Sequence, residues 1–278
     1  MRVRLRALCL LSTCVFSSFP CFSQQRPLLT ERALTVEEGH LLFDVGFEFL
    51  RDAVFPLSGL KGDLINVGVI GTRFGMGSRV EVQMLWTVRQ FLNINERFDA
   101  PGSGYLNVSG NSTSDFGNLN LATKVKLISA QQGSLVIASR FGVELPNTSN
   151  QKGLGTDETD FFTQLLVEKR LNRVDLIGNV GLAILGDPVD AGAQDDLLTY
   201  GFAVVAKATP RLNLLVEING STGPGGIGTE EQSRIRAGIQ FEAGSLTWDL
   251  AGFWGLLDTD PDPGIIVGLS KTFKLPLP

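Results

Sequence analysis

The connections between segments are sorted by length, and that sorting constrains this chain more than any single motif. Segments that alternate apolar and polar residues recur from residue 38 onward. In "SRVEVQMLWTVRQF" (78–91), Val80, Val82, Met84, Trp86 and Val88 alternate with Glu81, Gln83, Thr87 and Arg89. Alternation at period two predicts a β-strand with one apolar and one polar face. Twelve such segments can be counted, most near the length of a tilted membrane strand. Five connections are short: 75–78, 130–133, 171–172, 209–210 and 243–244. The six others, near 52–62, 93–113, 146–159, 186–195, 220–232 and 257–263, are longer and rich in Gly, Pro, Asp, Asn and Ser. Short and long alternate strictly. An up-and-down barrel with short turns at one end and long loops at the other produces that order. A soluble sandwich has no reason to produce it.

The sequence therefore predicts an all-β fold, an up-and-down antiparallel transmembrane β-barrel of about twelve strands, with both termini at the short-turn end. Val82 should then face lipid and Glu81 the lumen. Composition agrees. Charged residues make up 19% of the chain, below the roughly 25% usual in soluble domains. Beyond residue 25 no apolar run reaches the roughly 20 residues of a membrane helix.

Residues 1–23 read as a secretory signal peptide. Arg2, Arg4 and Arg6 precede an apolar stretch from Ala7 to Phe16, and Cys21 and Ser23 occupy the small-residue positions before a cleavage site at Gln24. Cys9, Cys14 and Cys21 all fall in this leader, so the mature chain has no disulfide framework. It keeps 21 basic against 29 acidic residues, which argues against a nucleic-acid partner. The division expected is a signal at 1–23, a periplasmic N-terminal segment at 24–37, the barrel at 38–273 and a tail at 274–278.

On the apolar parity, Arg73, Lys169 and Lys271 lie near short turns, where basic side chains can snorkel to headgroups. Phe43, Trp86, Tyr200, Phe241, Trp248 and Phe273 share that parity and are expected to contribute to interface girdles. The polar parity collects the candidate lumen-lining residues. The acids are Asp44, Glu48, Glu81, Glu144, Glu168, Asp175, Glu217 and Asp249; the bases are Arg89, Lys124, Lys126, Arg140, Arg234 and Arg236. Charges inside a membrane protein normally face cavities or one another. Lys124 and Lys126 are expected to pair with Glu144. Such a lumen is either a narrow polar conduit or a side-chain filling.

Little in the sequence points to catalysis. His40 is the one histidine and opens the first strand, with no serine near it in sequence. "DTDPDPG" carries Asp258, Asp260 and Asp262, but Pro263 and Leu269 stand where a calcium loop needs Gly and Glu, so it reads as a solvated acidic loop. "GPGGIG" at 223–228 lacks the Lys-Ser/Thr of a phosphate cradle. No cofactor or metal is expected.

"EEGHLLFDVGFEF", "DETDFFTQLLVEKRLNRVDLIGNVGLAILGDP", "DDLLTYGFAVVAKATPRLNLLVEING" and "PDPGIIVGLSKTF" together resemble a family of bacterial outer-membrane barrels labelled meta-pathway phenol-degradation or transporter-like proteins. That family is loosely similar to the long-chain fatty-acid transporters. The resemblance spans most of 38–273 and rests on strands, turns and phrases such as "TPRL" at 209–212. It implies an outer-membrane barrel passing small molecules, hydrophobic or aromatic ones among them. The partners expected are the lipid bilayer, the outer-membrane assembly machinery and a small-molecule solute, and the sorting of the connections sets both termini on the periplasmic side and the long loops outside the cell. The alternatives are a structural or surface-interaction barrel with a side-chain-filled lumen and, remotely, a membrane-embedded hydrolase. Phe273 stands near the end, where such barrels carry an aromatic assembly signal, but "KLPLP" follows it.

Overall fold

The computed structural model describes residues 26–130, 133–190, 192–226 and 229–276, so the expected signal peptide lies outside the described residues. Strands β1 (His40–Phe55), β2 (Leu60–Met76), β3 (Val80–Arg97), β4 (Ser112–Asp115), β5 (Leu119–Ser129) and β6 (Leu135–Leu145) form the first half. Then come β7 (Asp160–Leu171), β8 (Val174–Gly186), β9 (Gln194–Thr209), β10 (Leu212–Thr222), β11 (Gln232–Ala243), β12 (Leu246–Gly255) and β13 (Gly264–Lys274). Every neighbouring pair is antiparallel, β1 pairs with both β2 and β13, and β3 joins β2 to β5, so the sheet closes on itself. β4 pairs only with the far part of β3, which leaves twelve strands in the wall. Closure removes the unpaired edges that no membrane-spanning sheet can leave exposed to lipid.

The two strand faces differ as the alternation requires. Glu81 is fully buried while its neighbour Val82 is 40% exposed. Leu121, Phe141, Leu165, Val180, Phe202, Val216, Ile239, Leu250 and Val267 stay exposed on strands all around the wall. An apolar belt of that extent is far larger than the patches soluble monomers carry, and it fits lipid contact.

One residue breaks the alternation. Gly68 of β2 has φ +66°, and the β1–β2 register slips there, with Gly46 opposite Val69 and Phe47 opposite Val67. An extra residue in one strand flips the facing of everything beyond it. Glycine is suited to this backbone: a Cβ would meet Val88 Cγ2 at 3.0 Å. Short of the bulge, Val69, Gly71 and Arg73 turn inward; past it, Leu60, Leu64 and Asn66 do. Arg73 therefore does not snorkel toward headgroups. It is buried, with Nη1 2.6 Å from Asp44 Oδ2. Val69 is buried as well, although Val67 two residues away is 43% exposed.

β3 changes face with β2. Glu81 and Gln83 are buried near its start, Leu92 and Ile94 near its end. Arg89 lies directly opposite Val67, which is 43% exposed, so the register places Arg89 on the outer face. Its guanidinium sits 5.2 Å from the Phe116 ring and donates to Ser114 Oγ at 2.8 Å.

The first long connection is shorter than expected. β1 and β2 stay paired out to Phe55 and Leu60, which leaves a turn at 56–59. The projecting ends of β1–β3 bury Ala53, Leu60, Leu64, Leu92 and Ile94 against Leu154, with Leu106 and Val108 packed alongside. Loop 146–159 is fixed there by Ser58 Oγ donating to the Gly153 carbonyl (2.8 Å) and by Asn107 N–H donating to the Gln151 carbonyl (2.9 Å). The long-loop end thus carries its own apolar cap. Asp260 of the acidic loop is buried rather than solvated, accepting from Arg234 Nε at 2.9 Å and Ser233 N–H at 3.0 Å.

Candidate functional site in the barrel interior

Residues 26–37, "RPLLTERALTVE", lack strand periodicity and pair with no strand of the wall. They form a strap across the interior near the short-turn end, whereas the sequence predicts a periplasmic segment outside the barrel at 24–37. Strap contacts run from β11, β12 and β13 at one end to β3 at the other. A backbone that crosses a barrel without joining its ladder must find other acceptors for its N–H groups. Here wall carboxylates and amides supply them. Leu29 and Thr30 N–H donate to Glu217 (2.9 and 2.8 Å), Glu31 N–H to Asn179 Oδ1 (2.5 Å), Leu34 N–H to Glu168 (3.3 Å) and Val36 N–H to Glu81 (2.6 Å). The strap carbonyls of Arg26 and Pro27 accept from Gln240 and Arg236.

Charges lock the same segment. Arg32 Nη2 lies 2.7 Å from Asp175 and Nη1 3.5 Å from Glu168. Arg26 Nε lies 3.5 Å from Asp249. Lys124, with no exposed surface, bridges Glu31 at 2.9 Å and Glu81 at 3.0 Å and donates to the Arg32 carbonyl at 3.1 Å. Burial pushes the Glu31 carboxyl up, but Lys124, then Arg73 and Arg140, outweigh it and hold the group at about 2. Apolar side chains complete the seat: Leu28 packs with Ile177, Ala203, Val205 and Leu215, and Ala33 with Val136, Ala138 and Leu166.

The predicted residues divide into three groups. Glu81, Lys124, Glu168, Asp175, Glu217, Arg236 and Asp249 all touch the strap, through the contacts above, while Arg236 Nε also lies 3.4 Å from Glu217. Asp44, Glu48 and Arg140 are held by other wall residues. Asp44 binds Arg73, Glu48 accepts from Asn66 (3.2 Å), and Arg140 donates to Gln83 (2.7 Å) and Gln164 (3.0 Å). Glu144, Lys126, Arg234 and Arg89 lie apart from the strap. Glu144 does not pair with Lys124 or Lys126, because the register sets Lys124 opposite Arg140 and Glu144 opposite Asn120. Glu144 accepts instead from Asn118 and Asn120 at 2.7 and 2.8 Å. His40 Nδ1 lies 3.0 Å from the Glu38 carbonyl and 3.9 Å from Glu37.

The strap residues Arg26, Glu31 and Arg32 went unnoticed in the sequence because they precede the periodic region. One signal pointed to them: the predicted interior list holds eight acids against six bases, a surplus that an arginine-bearing segment could neutralise. Among the described residues no group of three or more His, Cys, Asp or Glu side chains is placed to hold a metal ion.

No protein-family model and no curated protein matches the chain. Solved structures do. The COG4313 outer membrane channel from Pseudomonas putida F1 is 15% identical, with a TM-score of 0.64 over 86% of this chain and 97% of that one. The NanC porin is 6% identical, with a TM-score of 0.53 over 82% of this chain and 98% of that one. At such identities the likeness speaks to architecture. The chain is a closed twelve-stranded antiparallel β-barrel with the fold of outer-membrane channels.

Proposed function

We propose that this protein is a bacterial outer-membrane channel for small molecules, gated by its own N-terminal strap. The short turns and both termini face the periplasm, and the long loops face the cell exterior. One observation carries the reading. The barrel interior is filled near its short-turn end by a segment that belongs to no strand, so the segment can leave without breaking any ladder of the wall. A barrel closed by wall side chains alone would offer no such exit. With the strap displaced, the path it opens would be narrow and polar, lined by Asp44, Glu48, Glu81, Lys124, Arg140, Glu168, Asp175, Glu217, Arg236 and Asp249. The likeness to outer-membrane channels supports the same reading. For hydrophobic or aromatic solutes, the support is a small pocket at the long-loop end, where Leu57, Pro101, Tyr105, Pro188 and Val189 stand beside Ser58, Gly102 and Asn150.

A second reading, a structural or surface-interaction barrel with a permanently filled interior, is favoured by the apolar seats of Leu28 and Ala33. Planar-bilayer recording separates the two. The channel reading expects brief, rare openings in the wild type and longer ones in an Arg26→Gln/Arg32→Gln variant. Silence from both, with the barrel folded and inserted, overturns it.

A further inference from the structure

The wall's own bases satisfy only part of its buried acid. Asp44 has Arg73, Glu81 has Lys124, and Glu217 has Arg236, each partner supplied by the wall. Asp249 does not. Its carboxylate is fully buried, its ion partner is strap residue Arg26 at 3.5 Å, and neither of its oxygens accepts a hydrogen bond among the described residues. Glu168 and Asp175 lean on strap residue Arg32, with wall residue Arg170 only at 3.8 and 4.0 Å. Glu168 Oε1 likewise accepts no hydrogen bond among the described residues. A buried carboxylate without a close cation is costly. The wall therefore provides its own positive groups only in part: for Asp249 the ion partner comes from the strap, and for Glu168 and Asp175 the wall's Arg170 stands farther off than the strap's Arg32.

We propose that Glu168, Asp175 and Asp249 form a binding track for small organic cations bearing a guanidinium or ammonium group, which Arg26 and Arg32 occupy as built-in ligands. The inference rests on the channel reading and names the solute class that competes with the strap. Glu168 and Asp175 lie on β7 and β8, whereas Asp249 lies on β12, four strands further around from β8. A cation entering the interior meets one seat or the other. A planar guanidinium matches a carboxylate through paired N–H groups, the contact Arg32 now makes with Asp175. An anion would face the same carboxylates with no gain.

The test uses the full chain with Ala33→Cys, a buried strap position, and argininamide as the probe. Argininamide should speed maleimide labelling of that cysteine at least about fivefold, the low end of ordinary coupling between sites. Sodium chloride at equal ionic strength and sodium succinate should not. Calorimetry on the Arg26→Gln/Arg32→Gln protein should show saturable argininamide binding about tenfold tighter than in the wild type. Adding Glu168→Gln, Asp175→Asn and Asp249→Asn should abolish it. Labelling that ignores argininamide, or responds equally after the three carboxylates are neutralised, overturns the proposal. The channel reading fails separately. A protein that binds argininamide but never conducts keeps the cation track and loses the channel; one that conducts but never binds does the reverse. If the double variant does not fold, the labelling arm in otherwise wild-type protein decides alone.

Discussion

Replacing Lys124 by Met is the most informative single change to the strap seat. The side chain is fully buried, and Glu31 and Glu81 approach its ammonium at 2.9 and 3.0 Å. Methionine keeps the volume and removes the charge, leaving two neighbouring buried carboxylates. Breaking a buried pair in this way costs about 3–5 kcal/mol. Two features limit the cost. Gln83 Nε2 still donates to both carboxylates, at 3.0 and 2.7 Å. One carboxylate can also take up a proton. From the ordinary value of 4.5, that escape costs about 3.4 kcal/mol at pH 7 and about 0.7 kcal/mol at pH 5. Lys124→Met should therefore lose about 3 kcal/mol at pH 7 and about 1 kcal/mol at pH 5. Adding Glu81→Gln should restore most of the loss, since Arg73 and Arg140 still hold Glu31. Reversible urea unfolding in lipid vesicles, followed by tryptophan fluorescence, measures all of these. A loss below about 1 kcal/mol at pH 7, or one that does not shrink at pH 5, would refute the burial and pairing described here.

The remaining predictions address the wall, the bulge, pH and the cap. Val216→Arg, on the outer face, should destabilise insertion by about 2–4 kcal/mol, while Thr209→Arg at the strand end should cost at most about 1 kcal/mol; equal costs in the same unfolding assay would remove the lipid-facing assignment. Gly68→Ala must adopt φ +66° and should lose about 1–2 kcal/mol, whereas an unchanged midpoint would mean the bulge is not held by glycine. Because the Glu31 carboxyl is held down to about 2 when folded, against 4.5 ordinarily, its stabilisation is complete above pH 4.5 and is lost as pH falls toward 2. Stability should thus decline over that window and the decline should flatten in Glu31→Gln; an identical acid profile in the variant would contradict the assignment. Arg234→Ala should free Asp260 and make loop 257–263 more sensitive to protease, with no effect on labelling at the strap.

How much of this was legible in the sequence follows from what each feature depends on. Strand count, the alternation of connection lengths and the facing of most residues are local properties, and "RLNLLVEIN" or "SRIRAGIQFE" shows them directly. Facing fails where one residue changes the register. Gly68 looks like any other polar-parity position in "DLINVGVIGTR", yet its positive φ sends Arg73 inward and, through the paired strand, Arg89 outward. Pairing within the interior is a second blind spot. Lys124 and Glu144 share a parity, but barrel tilt and register place them at different heights, and only the ladder reveals that. The strap was the largest omission. Its twelve residues have no period, and its position is set by carboxylates from 45 residues away (Val36 to Glu81) to 223 residues away (Arg26 to Asp249) in sequence.

The central claim, that a displaceable N-terminal strap closes a channel, is tested most directly by tethering the strap. Ala33 packs with Ala138 of β6 in one buried cluster, and the chain beyond the expected signal has no cysteine of its own. In an Ala33→Cys/Ala138→Cys protein bridged by a short cleavable bis-thiol reagent, planar-bilayer recording should show no openings. Cleaving the bridge should restore the openings of the untethered protein. Openings that continue unchanged while the bridge is intact would contradict the account.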